Sequence, residues 1–144
     1  MTAEAMFSLA NTTALVTWIV LVLFQRRRWA TDIVVGTAVT LFAVAYIAII
    51  APRWLGSSGG FSSLAGVASL FSDRWLLLAG WLHYLAFDLL VGRWEARDAA
   101  KRGISQWVVA PFMALTFMFG PAGWLSYCIA RQFVGRADSK SHAG

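Results

Sequence analysis

Four long apolar blocks, separated by charged or turn-forming segments, set the pattern of the chain. Each is close to the ~20 residues that carry a helix across the hydrocarbon core of a bilayer. The first, residues 7–24, is diluted by Ser8, Asn11, Thr12 and Thr13 and is stopped by the QRRR of 25–28, with Trp29 as an interfacial aromatic. The second, 33–50, is an unbroken run rich in Val, Ile and Ala that ends at Pro52 and Arg53. The third, 75–94, holds His83 and Asp88 inside it and Arg93 near its end. The fourth, 107–133, contains Pro111 and, at its middle, the FGPAG of 119–123. Pro121 removes a backbone donor and crowds the preceding turn, which predicts a kink near Gly120.

The connections carry their own signals. Residues 51–74 are long for a helix–helix link. They begin with the turn-forming APRWLGSSGG and continue with FSSLAGVASLF, whose Phe61, Leu64, Leu70 and Phe71 fall at mixed helical spacing. This reads as a short amphipathic helix at the membrane interface, with a re-entrant lid over a cavity as the functional alternative. Residues 95–106 (EARDAAKRGISQ) are charged and are expected in water. The predicted fold is therefore an all-α integral membrane protein. It is a four-transmembrane-helix bundle with a short amphipathic segment between helices two and three. Residues 1–134 form one transmembrane domain and 135–144 a polar C-terminal tail; no internal repeat is visible.

Composition supports lipid as the solvent. Of 144 residues, 59% are hydrophobic and 13% charged, and mean hydropathy is +0.65, against about a quarter charged in soluble domains. The small core of four short helices is compatible with homo-oligomerisation. The net charge of +5 comes from basic residues between apolar blocks, as in juxtamembrane anchors, and forms no aromatic-interleaved stripe for nucleic acid. Cys128 is the single cysteine, so no intramolecular disulfide exists. No basic leader precedes the first apolar block, which reads as a retained span. Four spans put both termini on one side. Seven basic residues then face five across the membrane, a small excess that puts the termini outside.

A carboxylate inside an apolar span costs at least ~2.5–3.5 kcal/mol, so Asp88 is expected to face protein or a wet cavity. On an ideal helix it shares a face with Trp81, Tyr84, Gly92 and Glu95. His83 lies roughly 140° away around the helix, so the two flank one wide cavity or meet different neighbours. Asp88 reads either as a catalytic or ligand-contacting group or as an interhelical tie; His83 reads either as an acid–base group or as a core hydrogen-bond donor. Arg93 is placed to reach the headgroups. No metal site is expected, because the only other histidine, His142, lies in the tail. Gly-rich phosphate loops, zincin pairs and serine-nucleophile motifs are absent.

Gly66, Ala68 and Phe71, then WLHYLAFDLLVGR with Trp81, His83, Asp88, Leu89 and Arg93, then Pro111, the GPAG of 120–123 and Tyr127 resemble the abscisic-acid-deficient-four-like family. The resemblance covers most of the chain, best over 66–133. It implies a four-span membrane protein connected with carotenoids, whose plant reaction turns an epoxide end group into the allenic alcohol of neoxanthin. Such an isomerisation needs an acid for the opening oxygen and a base for a nearby proton, and no redox cofactor. The expected function is a cofactor-independent isomerase acting on an epoxy-carotenoid or related polyene; the alternative is a non-catalytic carotenoid- or lipid-binding scaffold. His83 and Asp88 are the expected catalytic residues, with Trp81, Tyr84, Arg93, Pro121 and Tyr127 contacting substrate. The expected partners are a polyene or other lipid-like ligand and membrane lipid. Without a Ser-rich transit peptide, the chain is expected in a bacterial inner membrane.

Overall fold

The computed structural model describes residues 2–57 and 59–140, with side chains for 2–57 and 59–134. All regular structure among these residues is helical: α1 (Ala3–Leu23), a π-helical turn (Trp29–Val34) running into α2 (Val35–Arg53), a 3-10 turn (Trp54–Gly56), α3 (Leu64–Ser72), α4 (Arg74–Lys101), α5 (Gln106–Phe119) and α6 (Pro121–Lys140). The amphipathic segment is thus α3. Ser63 caps it by accepting the Gly66 N–H at 3.0 Å. Helix α6 continues through Lys140, so the expected tail is helical to that point; residues 141–144, His142 among them, lie outside the described residues.

Helix α4 is the axis of the molecule and touches each of the other five. The Asp73 carboxylate starts it, accepting the N–H groups of Trp75 at 2.7 Å and Leu76 at 3.1 Å. Nothing between Trp94 and Lys101 breaks a helix. The segment expected as an aqueous loop therefore continues α4 for two more turns, and charge alone did not end it. Gly103 does, with φ 72°, while the Ile104 N–H bonds the Ala99 carbonyl at 3.0 Å to close the last turn. At 28 residues the helix is about 42 Å long, with its midpoint beside Asp88.

The fourth apolar block is not one bent crossing helix. Gly120, at φ 44°, ends α5, and α6 returns alongside it. The rings of Phe112 and Tyr127 lie 6.2 Å apart, whereas fifteen residues of continuous helix would separate them by about 22 Å. A Cβ on Gly123 would collide with the backbone of Thr116, which is how closely the two arms pack. The hairpin enters beside the C-terminal end of α4. There the Gln25 side chain donates to the Gln106 carbonyl at 3.2 Å, and Arg26 donates to the Ile104 carbonyl at 2.5 Å. Its tip reaches the middle of α4.

Among the described residues, three helices are long and apolar enough to cross a membrane: Ala3–Leu23, Trp29–Gly56 and Arg74–Lys101. Helix α5, at 14 residues, is apolar but short. Large apolar side chains on the outside of the bundle, among them Leu9, Ile19, Ile33, Leu41, Val44 and Phe87, are more than a third exposed. A contiguous apolar exterior of this kind suits a lipid environment, so the fold is compatible with a membrane protein.

Candidate functional site

The hairpin tip and α4 together bury two carboxyl groups. Asp88 is 8% exposed and Glu95, two turns later on the same face, is 0% exposed. A Cβ on Gly120 would come within 3.1 Å of Asp88 Oδ1, so the backbone reversal sits directly on this carboxyl. The Thr116 hydroxyl donates to Glu95 Oε1 at 2.8 Å. The remaining oxygens, Asp88 Oδ2 and Glu95 Oε2, are buried without a hydrogen-bond partner. Leaving such atoms unpaired is costly, which marks this as the least settled part of the interior. Tyr84, one turn before Asp88, is a polar neighbour of its carboxyl.

His83 faces another way. Its ring stacks on Phe87 at 4.5 Å and lies 5.9 Å from Tyr46. It lines a cavity of about 220 Å³ between α2, α3 and α4, together with Tyr46, Trp54, Phe61, Phe71 and Leu76. His83 is an exposed residue. Asp88 is not among its lining residues, so the two expected acid–base residues serve different neighbourhoods.

The other expected contact residues are spread along α4 and the hairpin. Trp81 donates to Asn11 Oδ1 at 2.8 Å and stacks on Tyr84 at 5.2 Å, tying α4 to α1. Arg93 lies 3.4 Å from Asp32 Oδ1, and Arg97 pairs with the same oxygen. Pro121 begins α6 at the hairpin turn. Tyr127, 1% exposed, donates to Asp98 Oδ2 at 2.8 Å and meets Trp94 edge-on at 5.8 Å, locking α6 onto α4. Trp81 and Tyr84 thus adjoin the Asp88 side, and no single cavity gathers all seven residues.

Four polar residues absent from the expected site prove central: Glu95, Thr116, Asp32 and Asp98. For Glu95 the signal was its seven-residue spacing from Asp88. For Asp32 and Asp98 the only sequence cue was a carboxylate among arginines, and the partner choice depends on how the helices pack. Among the described residues no three His, Cys, Asp or Glu side chains gather as a metal site requires.

No curated protein matches the chain, and no solved structure does. One family model does match, and it covers the three candidate spans except for the first two residues of α1, together with the hairpin tip and Tyr127. Through that match, over residues 5–127, the chain belongs to the ABA DEFICIENT 4-like family.

Proposed function

We propose that this chain is an integral membrane protein of carotenoid or related isoprenoid metabolism, acting as a cofactor-independent isomerase of an epoxy-carotenoid or similar polyene. The observation that carries this reading is the half-open aromatic cavity that α3 and α4 line beside His83. Its volume, about 220 Å³, is below the ~300–1,000 Å³ of whole small-molecule sites. It suits one end group of a long ligand whose chain continues along the apolar exterior. In the isomerisation one epoxide C–O bond opens, a proton leaves the adjoining polyene carbon, and a proton reaches the freed oxygen, with no net change in atoms or electrons. A neutral imidazole has one nitrogen to take a proton and one to give it, so His83 alone has the groups for both transfers. Asp88 is the second acid–base candidate, acting from the hairpin side.

The test is incubation of detergent-purified protein with an epoxy-carotenoid and chromatographic separation of the isomers. His83→Gln and Asp88→Asn preserve shape and remove the titratable group, and each is expected to lower turnover by at least roughly 10²-fold. Wild-type rates in both variants would end the catalytic reading. A second reading, a polyene-binding or scaffold protein without turnover, is favoured by one observation: His83 and Asp88 do not share a cavity. Co-purification of a polyene with no conversion by the wild-type protein selects it.

A further inference from the structure

One side of α4 carries two cavities that share residues and differ in character. Near the C-terminal end, Arg93, Arg97, Lys101, Asp98 and Trp94 line a polar hollow of about 340 Å³. Toward the middle of the helix, Phe87, Leu90, Val91, Trp94 and Trp124 of α6 line an open apolar groove. Leu90 and Trp94 belong to both, so the two form one continuous track.

The charge of the polar end is one-sided. Asp32 is held by Arg28, Arg93 and Arg97, and Asp98 by Arg102 and Arg131. Two carboxylates thus face five guanidinium groups. Lys101, exposed, has no ion-pair partner among the described residues, and Arg93 Nε is buried without a hydrogen-bond partner. The surplus is cationic.

Dimensions identify the occupant. With the midpoint of α4 at the bilayer centre, Phe87 lies at the midplane, Arg97 about 14 Å from it and Lys101 about 20 Å. Half of the ~30 Å hydrocarbon core is ~15 Å. The apolar groove is therefore one leaflet deep, and the Arg97–Lys101 end of the cationic hollow stands at headgroup level, while Arg93, whose backbone is about 8 Å from the midplane, reaches outward to Asp32. We propose that this track binds an anionic phospholipid, its phosphate held by Arg93, Arg97 and Lys101 and one acyl chain lying over Leu90, Trp94 and Trp124. The proposal rests on the integral-membrane part of the functional reading and is independent of any turnover.

The experiment measures thermal unfolding of the full chain in mild detergent with added phosphatidylglycerol, or with phosphatidylcholine bearing the same acyl chains. The readout is the difference in apparent affinity between the two lipids within each variant, so a change in intrinsic stability cancels. Phosphatidylglycerol is expected to bind more tightly. Lys101→Gln, which breaks no ion pair, is expected to reduce the preference about five-fold, the equivalent of the ~1 kcal/mol carried by one basic residue at an anionic lipid surface. Asp32→Asn, which frees Arg93 and Arg97, is expected to keep or enlarge it. Equal affinity for both lipids overturns the proposal, as does an unchanged preference in Lys101→Gln or a lost one in Asp32→Asn. Stabilisation by inorganic phosphate equal to that by phosphatidylglycerol, or a stronger response to a prenyl diphosphate, also overturns it, by assigning the cations to another phosphate.

Discussion

Glu95 is sealed between α4 and α5, with Thr116 as its donor and one oxygen left over. Replacing it by Ala leaves the Thr116 hydroxyl without its acceptor in a closed interior, a loss of about 1–3 kcal/mol. Glu95→Gln keeps an acceptor oxygen for Thr116 and is expected to cost clearly less. Thr116→Val removes the other partner, so the pair Glu95→Gln and Thr116→Val is expected to be non-additive, as contacting residues are. Thermal unfolding of the four proteins in detergent checks this, and strict additivity would separate the two side chains. The importance of Glu95 was half legible. Its spacing put it on the Asp88 face, but the charges of 95–102 read as a solvated loop. Only packing against α5 reveals that the inner face of that stretch, Glu95, Ala96 and Ala99, is buried while its arginines point outward.

At the scale of elements, the hairpin of α5 and α6 depends on two glycines for different reasons. Gly120 takes a positive φ with ψ −100° beside Asp88, a region sparsely populated by L residues, and a Cβ there costs about 1–3 kcal/mol before any clash. Gly123 has a helical backbone, but the Thr116 backbone occupies the space a Cβ would need, so Gly123→Ala must part the arms or strain the turn. Both alanine variants are expected to lower the unfolding temperature, Gly123→Ala at least as much as Gly120→Ala. Gly36→Ala is the control: nothing lies within 4 Å of its Cβ position, and relief of backbone entropy makes it neutral or stabilising. Equal behaviour of all three would remove the close packing of the arms as a stabilising feature. Pro121 and its neighbouring glycines announced the break correctly. They did not announce its angle, because a kinked helix and a reversed one share that local chemistry. The choice between them is made by contacts fifteen residues apart, Phe112 on Tyr127, and by the fit of both arms on α4. The amphipathic spacing of 61–71, by contrast, was sufficient to foresee α3, since a short helix needs only its cap and one apolar stripe.

For the whole molecule, the reversal changes the count of crossings and with it the orientation. With the three candidate spans set across a bilayer, a hairpin that returns to its own side places the two ends of the chain on opposite faces. Arg131, Arg136 and Lys140 then join Arg26, Arg27, Arg28, Arg93, Arg97, Lys101 and Arg102 on one side, leaving Arg53 and Arg74 on the other. Ten of the twelve basic residues share a face, where a four-span reading divides them seven to five. A bias of that size is what the positive-inside rule uses to set topology, so the face bearing Arg102 and α6 is expected to be cytoplasmic. The check is cysteine accessibility in cells, in a Cys128→Ser background, with a thiol reagent that does not cross the membrane. Thr2→Cys is expected to react from outside, while Arg102→Cys and Ser139→Cys react only after permeabilisation. Labelling of Ser139→Cys from the same side as Thr2→Cys would require the fourth apolar block to cross, and the hairpin would have to open to allow it.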